Sequence, residues 1–348
     1  MSQAKGRTRL SAAGRTDTGR QRRHNEDHVL VKPELDLLVV ADGMGGHNAG
    51  DIASRLTTTS MANFFEATTH APVPGPPADD EVDLEPAGRR LVAAIRKANR
   101  DVFEISSTIQ QHQGMGSTIV AAHVSPQSGT IHIGHVGDSR CYRIRADTIE
   151  LLTRDHSLVN DALAIKPDLS EEELARLPRN IITRALGMKD AVKVDHSSHE
   201  LVAGDIYLLC SDGLSGMVSD DQILEVFAIT DDLGEICDLL VAMANEAGGA
   251  DNITAVVTRV EERVIRHISA PEVEVEVAVA PASVALPSLR DIVPEDTLDL
   301  LEAGAEIEVS EPMHAPSGRA PVARCGRCDA ELIVGNRFCV ECGTRTET

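Results

Sequence analysis

The sequence predicts an α+β fold in which sheets and helices occupy separate layers, and three observations support this prediction. Two apolar runs of strand length end in Asp42 and Asp212, and a turn-forming glycine follows each aspartate. Between them, residues 117–144 alternate with a period of two and contain turn residues, as antiparallel strands do. Apolar residues at helical spacing over 91–105 and 233–247 predict amphipathic helices. Together these patterns predict a sandwich of sheets flanked by helices.

The first third of the chain contains the elements that lead up to the first of these aspartates. Residues 1–13 are polar and basic, which favours a frayed lead-in. A strand is expected at residues 28–31, followed by the apolar strand that ends in Asp42. Residues 48–65 begin with a capping asparagine and contain small residues, which predicts a helix packed on the sheet. Residues 71–86 are rich in proline and acids and predict a surface loop.

The rest of the predicted domain alternates short strands with helices. Turn signals between three short strands predict that consecutive strands form hairpins. The predicted elements are strands at 117–124, 130–136 and 141–144, an excursion over 155–178 with an acidic helix near 170–177, a helix over 219–227, a helix over 233–247 and a strand over 253–260. The helix at 219 begins with a capping box formed by Ser219 and Gln222.

Composition narrows the class of protein. The chain has 348 residues and a net charge of −22, so it lacks the basic surface that a general nucleic-acid binder needs. No apolar run reaches the roughly 18 residues of a membrane-spanning helix, and the first residues lack the apolar core of a signal peptide. We therefore expect a cytoplasmic protein with no membrane partner. Cys141, Cys210 and Cys237 lie in apolar segments, which favours buried thiols over a disulfide framework.

Acidic residues stand at the predicted strand ends or in turns, and they point to a metal site. The set is Glu26, Asp27, Asp42, Asp138, Asp212 and Asp251. Carboxylates held together without basic partners repel one another and lose hydration unless a cation neutralises them. An all-oxygen ligand set favours Mg²⁺ or Mn²⁺ over Zn²⁺. Shared carboxylates would hold two ions about 4 Å apart and lower the pKa of a bridging water, which then becomes the nucleophile.

A phosphate ester suits such a site, because the ions polarise its oxygens and an arginine can clamp the others bidentately. Arg22 is the candidate clamp, since it stands four residues before Glu26. On spacing alone, residues 14–27 fit a solvated charged run equally well.

Eight motifs, in order, resemble a known family. They are GRQRRHNED at 19–27, VVADGMGGHNAG at 39–50, GMGSTIVAA at 114–122, HVGDSRCY at 135–142, LTRDHSL at 152–158, ITRALG at 182–187, LLCSDGL at 208–214 and GGADNITAVV at 248–257. Together they are similar to the motifs of the metal-dependent protein serine/threonine phosphatases, the type 2C-like or PPM family, in their bacterial form. The resemblance covers about residues 11–260. It implies an αββα four-layer sandwich, two antiparallel sheets flanked by helices, with a binuclear Mn²⁺ or Mg²⁺ centre at one end.

The resemblance also implies roles for individual residues of the centre. Asp42 matches the bridging ligand, and the backbone carbonyl of Gly43 matches a ligand of one ion. Asp212 and Asp251 match the carboxylates of the other ion. Arg22 matches the phosphate-binding arginine.

Further residues around the centre have matching positions. Glu26 matches an additional ligand or water-holding group, with Asp27 beside it. Asp138 matches the acid that holds a weaker third ion together with Asp212. Asn252 is expected to fix the neighbouring Asp251. Residues 155–184 correspond to the family's flap, which governs substrate access.

One position departs from the family pattern. Many eukaryotic members have a histidine directly after the Asp-Gly pair, a candidate general acid, where this chain has Met44. The leaving alkoxide would then be protonated by a metal-bound water, or by His47 or His156. The water is favoured because a third ion at Asp138 would acidify it, and these two histidines are more often structural.

The C-terminal residues carry a second signal. Cys325, Cys328, Cys339 and Cys342 form two Cys-x-x-Cys pairs joined by a predicted hairpin that turns at 335–336. The segment is too small to fold by burial alone, so the pattern favours a zinc ribbon in which four thiolates hold a structural Zn²⁺. A rubredoxin-like iron centre and a redox dithiol are the alternatives.

The sequence therefore predicts three regions: a PPM-type catalytic domain at 1–260, an acidic linker rich in Pro, Val and Ala at 261–320, and the zinc ribbon at 321–348. The predicted function is hydrolysis of phosphoserine and phosphothreonine by a metal-activated water, in a monomer that opposes serine/threonine kinases. The expected targets are a serine/threonine kinase and the substrates of that kinase. The ribbon would dock an unknown partner. The alternative is a catalytically weak phosphoprotein-binding module that acts through the ribbon, which the complete acid set disfavours.

Overall fold

The structure, a computed structural model, describes residues 7–45, 49–69, 84–178 and 181–264. Its strands form two antiparallel sheets. The first sheet has the spatial order β1 (Arg7–Asp17), β11 (Ile253–Val264), β10 (Ile206–Cys210), β7 (Arg140–Arg145) and β8 (Thr148–Leu151). The second has the order β2 (Asp27–Lys32), β3 (Leu37–Met44), β5 (Ile119–Ser125), β6 (Thr130–Val136) and β9 (Asp195–Glu200), and β4 (Gly116–Ser117) pairs with β3.

Helices cover the outer face of each sheet. The long helices α1 (Ala49–Thr68) and α2 (Pro86–Thr108) pack on the second sheet. The helices α6 (Asp220–Ile229) and α7 (Leu233–Glu246) pack on the first sheet. Three short helices lie in connections: α3 (Leu158–Ile165), α4 (Glu171–Ala175) and α5 (Asp212–Ser215). The predicted four-layer αββα sandwich is confirmed.

Strand β3 shows why the apolar runs of this chain are continuous. Leu37 and Val39 pack against the layer of α1 and α2, whereas Leu38 and Val40 pack against the other sheet, where Leu209 of β10 belongs to the same core. A strand buried on both faces needs apolar residues at every position. Each such side chain contributes about 1.5–3 kcal/mol when it is fully buried. The same burial holds the end of β3, and therefore Asp42, in a fixed place.

The expectation of a frayed lead-in was wrong for residues 7–13, and residues 1–6 lie outside the described residues. Residues from Arg7 onward form β1, which pairs with β11 along its whole length. Leu10 and Ala12 are partly buried against the core between the sheets. The segment RTRLSAAGRTD contains few strand-favouring side chains, so its stability comes from pairing with a strand at the other end of the domain. Local sequence patterns do not reveal such a partner.

A second expectation, that β6 and β7 form a hairpin, was also wrong. The two strands belong to different sheets, and the connection at residues 137–139 crosses between them. Gly137 has a φ of +112°, and a Cβ there would lie 2.5 Å from Cβ of Thr118. The tight crossing places Asp138 at the edge shared by both sheets. Strand β9, with the polar sequence DHSSHE, was not predicted because it lacks apolar alternation.

The predicted linker and zinc ribbon lie outside the described residues, apart from residues 261–264, which continue β11. In the parts of the chain that the structure describes, no helix combines the length and the apolarity that crossing a bilayer requires.

Candidate metal centre

Strand ends from both sheets bring the predicted acids to one edge of the sandwich. Asp27 is the first residue of β2 and lies directly opposite Asp42 of β3. Asp138 stands in the connection between β6 and β7, Asp212 follows β10, and Asp251 precedes β11. Because β10 and β11 are neighbours in the first sheet, their ends face the same edge. Sheet pairing thus joins acids that are far apart in sequence.

The pKa values of these acids show how closely they are grouped. Burial, together with the charges of Asp27, Asp212, Asp138 and Asp251, raises the pKa of Asp42 well above its ordinary value. Burial and the charge of Asp212 raise the pKa of Asp138 to about 7. Burial and Asp251 raise the pKa of Asp212, although a hydrogen bond with Asp42 works in the opposite direction. Without a cation, these acids cannot all be ionised at neutral pH.

The donor atoms fit a divalent cation. Among the described residues, Oδ1 of Asp27, Asp138 and Asp212 are buried and have no hydrogen-bond partner, which is costly unless another group binds them. A Cβ on Gly43 would lie 1.9 Å from the Gly50 carbonyl oxygen and 2.7 Å from that of Glu26, so this backbone approach requires glycine. Carboxylate and carbonyl oxygens are the ligands that Mg²⁺ and Mn²⁺ prefer.

Hydroxyl groups that the sequence analysis did not single out hold the acids in place. Oδ2 of Asp27 accepts hydrogen bonds from Oγ of Ser211 at 2.7 Å and from Oγ1 of Thr254 at 2.6 Å. The backbone N–H of Asp42 donates to Oγ1 of Thr118 at 3.2 Å. The bonds from Ser211 and Thr254 lower the pKa of Asp27, but burial has the larger effect and raises it to about 7. The only signal for these residues was their position within the quoted motifs.

Glu26 stands at the entrance to the centre, just before β2. Its carbonyl oxygen accepts a hydrogen bond from the Gly43 N–H at 3.0 Å. Its carboxylate accepts one from the Gly50 N–H in the first turn of α1. Burial raises the pKa of Glu26, and the charge of Arg22 lowers it by a smaller amount. The side chain is therefore held by a helix N-terminus beside the carbonyl that was predicted to bind an ion.

Arg22, the predicted phosphate clamp, lies at the mouth of this centre. Its Nη2 donates to Oδ2 of Asp251 at 2.6 Å, and 48% of its side chain is exposed. The loop that carries it is attached to the loop before Asp251, because the N–H groups of Arg20 and Gln21 both donate to the Gly249 carbonyl, at 2.8 and 3.1 Å. The guanidinium therefore faces both the acids and solvent.

Asn252 was expected to fix Asp251, and the structure gives it a wider set of contacts. Its backbone N–H donates to Oδ1 of Asp251 at 2.8 Å. Its side-chain Nδ2 donates to the carbonyls of Thr18 and His24, both at 2.9 Å, and its Oδ1 accepts from the N–H of Glu26 at 2.8 Å. One buried amide thus connects the acidic loop to both ends of the arginine-bearing loop.

The candidate general acids differ in their placement. Met44 ends β3, and its side chain lies beside Gly116, while His47 is outside the described residues. His156 is buried, which lowers its pKa to about 4, so its ring is neutral at physiological pH. Its Nδ1 accepts a hydrogen bond from the Gly137 N–H at 2.9 Å. The remaining ring proton is therefore on Nε2, which lies 3.2 Å from Oδ2 of Asp195.

His135, His156 and Asp195 form a second group of potential metal ligands, with one ligand atom from each lying within 4.8 Å of the others. Nη1 of Arg184 lies within this group, 2.6 Å from Oδ1 of Asp195 and 2.9 Å from Nε2 of His156. Nε2 of His135 donates to the Arg154 carbonyl at 2.9 Å. A guanidinium already supplies the positive charge, and only one ring nitrogen retains a free lone pair, so this group is a hydrogen-bond network and not a cation site.

Residues 155–184, the expected flap, leave the sandwich beside the Asp138 turn and rejoin it there. The described residues of the flap include α3 and α4, and its two ends meet where the Leu158 N–H donates to the Ile181 carbonyl at 3.0 Å. A cavity of about 450 Å³ lies under α3, lined by Arg140, Leu151, Arg154, Val159 and other residues. Arg140 is held there by a bidentate ion pair with Asp155.

Known proteins resemble this chain along most of the described domain. The family described as Protein phosphatase 2C matches residues 16–256. The serine/threonine phosphatase stp of Listeria innocua serovar 6a is 37% identical over 249 residues, which are 70% of this chain and 94% of that protein.

Solved structures extend the similarity to the fold. The crystal structure of the Mycobacterium tuberculosis serine/threonine phosphatase PstP/Ppp matches with a TM-score of 0.62 and 34% identity, covering 73% of this chain and 99% of that one. A structure of the catalytic domain of serine threonine protein phosphatase PstP in complex with two manganese ions matches with a TM-score of 0.61 and 34% identity, covering 73% and 100%.

Proposed function

This chain belongs to the protein phosphatase 2C family of metal-dependent serine/threonine phosphatases, and on that premise we propose roles for the residues of its acidic centre. Asp42, the Gly43 carbonyl, Asp212 and Asp251 would hold two Mn²⁺ or Mg²⁺ ions, with Asp42 shared between them. The observation that supports a cation here best is the buried carboxylate oxygen without a partner on each of Asp27, Asp138 and Asp212, three acids whose charges act on Asp42. Bound ions would lower the pKa of a water enough for hydroxide, the nucleophile that attacks phosphorus, to exist at neutral pH.

The neighbouring residues would orient the phosphate and hold the ligands. Arg22 would bind phosphate oxygens in two parallel hydrogen bonds, exchanging part of its present contact with Asp251 for the substrate. Glu26 would hold a further ligand position or a water, and Asp27 would remain fixed by its two hydroxyl partners. Asp138, with Asp212, would hold a weaker third ion.

The leaving oxygen needs a proton, and the described residues suggest where it comes from. Water beside Asp138 is the proposed donor. His156 is a poor candidate, because its Nδ1 already accepts from Gly137 and its Nε2 faces Asp195. Met44 has no proton to give.

A hydrolysis assay tests this proposal. The wild-type protein should hydrolyse p-nitrophenyl phosphate and a phosphothreonine peptide only when Mn²⁺ is present, and Asp212→Ala should lose at least about a hundredfold in rate. Equal rates for the two proteins would contradict the proposal. Peptide binding without hydrolysis would favour the rival function, a phosphoprotein-binding module.

We propose that the tail is a separate zinc module, supported by the spacing of Cys325, Cys328, Cys339 and Cys342. The catalytic domain would end near residue 260, and an acidic linker would tether the module to it. Replacing the four cysteines with serine in the full chain should remove one equivalent of bound zinc and leave p-nitrophenyl phosphate hydrolysis unchanged. Unchanged zinc content would contradict the ribbon.

We also propose that the protein is a cytoplasmic monomer that opposes a serine/threonine kinase. The phosphatase relatives support phosphoproteins as substrates, and the tail would dock one partner through the ribbon. Substrate trapping with Asp251→Ala, with and without the four cysteines, should capture phosphoproteins. Recovery that does not depend on phosphorylation would contradict this substrate class.

A further inference from the structure

We propose that His156 is a positioning residue that joins the flap segment, residues 155–184, to the turn that carries Asp138. The segment proposed to control substrate access and the acid proposed to hold the third ion would then move as one unit. The inference rests on the proposed function of Asp138, and it gives a positioning role to a residue that the sequence analysis considered only as a possible proton donor.

His156 contacts the Asp138 turn through both its backbone and its ring. The His156 N–H donates to the Gly137 carbonyl at 2.9 Å, and the Gly137 N–H donates back to Nδ1 of the His156 ring at 2.9 Å. Both polar groups of the Gly137 backbone are therefore satisfied by one residue. Asp138 follows immediately, so these two hydrogen bonds fix the peptide from which its carboxylate extends.

His156 also contacts the returning end of the flap. The Thr183 N–H donates to the His156 carbonyl at 2.8 Å, next to the bridge between Ser157 and Ile182. Backbone groups of His156 thus bond the Asp138 turn on one side and the end of the flap on the other. The flap cannot swing at its base without disturbing a hydrogen bond of this residue.

Packing and polar contacts keep the His156 ring in place. The His156 side chain is 5% exposed, and its ring stacks on that of His135, with centroids 4.9 Å apart and an angle of 13° between the planes. Nε2 lies 3.2 Å from Oδ2 of Asp195 on β9. Arg184, within the flap segment, donates to the other oxygen of Asp195 at 2.6 Å and thus closes the network.

The two ring nitrogens of His156 have different partners. Nδ1 holds the Asp138 turn, whereas Nε2 links the ring to Asp195 and its partner Arg184. An asparagine side chain can place a polar atom near the position of Nδ1, and a glutamine side chain can place one near that of Nε2. His156→Asn should therefore retain the contact with the turn, and His156→Gln should lose it.

Hydrogen exchange in the metal-free, full-length protein tests the contact without any catalysis. The Gly137 amide should exchange at least about tenfold faster in His156→Gln than in wild type, and within about threefold of wild type in His156→Asn. Thermal unfolding first establishes that each variant is folded. Equal protection of the Gly137 amide in wild type and His156→Gln would overturn the proposal.

A second experiment measures how loss of this contact changes the Mn²⁺ requirement of hydrolysis. The Mn²⁺ concentration that gives half-maximal hydrolysis of a phosphopeptide should rise about 10–100-fold in His156→Gln, because loss of a group that orients a ligand has effects of this size. The KM should rise with it, while kcat at saturating Mn²⁺ should change less. His199→Asn, which alters a histidine further along β9 bonded to Ser197, is the matched control and should behave as wild type. An unchanged Mn²⁺ requirement in His156→Gln would overturn the proposal.

Asp195→Ala gives a test that leaves the buried ring intact, since the Asp195 side chain is 36% exposed. Exchange of the Gly137 amide should increase about threefold because the ring loses its outer partner, and an unchanged rate would count against the proposal. A wild-type protein without Mn²⁺-dependent hydrolysis would instead refute the proposed function. The exchange measurement does not depend on that outcome.

Discussion

Asp42 is half-buried among other acids, and its raised pKa is the residue-level mark of a site built for a cation. A buried carboxylate with carboxylate neighbours destabilises the metal-free protein, because the folded chain must either keep a proton or hold like charges together. Its neighbours Asp138 and Asp212 each have a buried oxygen without a partner among the described residues. These features are unfavourable individually and become favourable together when an ion binds.

At the same scale, Arg22 gives a prediction about substrate binding. Arg22→Ala should lower kcat/KM for a phosphothreonine peptide by about 10–100-fold, because a charged hydrogen-bond donor to the phosphate is lost. Arg23→Ala changes the exposed neighbour, which has no assigned role, and should stay within about threefold of wild type. Steady-state kinetics at saturating Mn²⁺ separate the two. A similar loss in both variants would show that only the general charge of the loop matters.

Asp138 gives a prediction about pH. Its pKa is raised from 3.8 to about 7 in the folded protein, so the folded state keeps a proton that the unfolded state has already lost. The free energy of unfolding of the metal-free protein should therefore fall as pH rises from about 4 to about 7. In Asp138→Asn, this decrease in the free energy of unfolding should be smaller by about 2 kcal/mol.

Urea unfolding in the presence of a chelator measures this difference at several pH values. The contrary outcome is a wild-type protein that gains stability relative to Asp138→Asn over the same range. Such a result would mean that the carboxylate is stabilised in its ionised form without metal.

At the scale of elements, the arginine-bearing loop and the acidic loop before β11 depend on one amide. Asn252 is 4% exposed, and its side chain makes three hydrogen bonds to backbone groups of residues 18–26. Asn252→Ala should lower the free energy of unfolding by about 2–4 kcal/mol, because it leaves buried backbone groups unpaired. Gln21→Ala removes only an exposed bond to Gly248 and should cost less than about 1 kcal/mol.

Denaturant titration compares the two variants, and equal midpoints would contradict the role given to Asn252. Kinetics on the same samples add a second check. Since Asn252 supports the loop that carries Arg22, its loss should raise KM for the phosphopeptide as well.

The elements also show what a single sequence can reveal. Strands β3 and β10 and helices α2 and α7 were predicted because their apolar periods are strong and local. Strand β1 was missed because its stability comes from pairing with β11, and β9 because its sequence is polar. The crossing at Gly137 looked like a hairpin turn, since local turn signals do not say which sheet the next strand joins.

The candidate centre was predicted more completely than the residues that support it. Acids at strand ends are conspicuous because burial without a cation would be costly, and the order of motifs gave them roles. Ser211, Thr254 and Thr118 were missed because a hydroxyl near a strand end has many ordinary explanations. The contacts of His156 depend on two chain segments meeting in space, which no spacing in the sequence records.

At the scale of the molecule, the two sheets end at a common edge, and this brings acids from both ends of the domain together. Stability and metal binding should therefore be linked throughout the fold. In the absence of metal, Asp42→Asn should be more stable than wild type, because it removes one acid from a group of neighbouring acids. At a hundredfold excess of Mn²⁺ over its dissociation constant, wild type should gain about 2.7 kcal/mol for each ion bound, and the variant should gain less.

Thermal unfolding with and without Mn²⁺ measures the stability of wild type and Asp42→Asn in both conditions. Asp205→Asn is a useful comparison, since Asp205 is a buried acid far from the centre that is paired with Arg145. It should lower stability in both conditions by a similar amount. An equal gain in stability on addition of Mn²⁺ in wild type and Asp42→Asn would contradict the linkage between stability and metal binding.

The most direct test of the central claim is anomalous diffraction at the manganese edge from crystals grown with Mn²⁺. We predict two strong peaks about 4 Å apart, bridged by Asp42, with the Gly43 carbonyl on one ion and with Asp212 and Asp251 on the other. Absence of manganese from this acidic edge, or ions bound only elsewhere in the chain, would contradict the account.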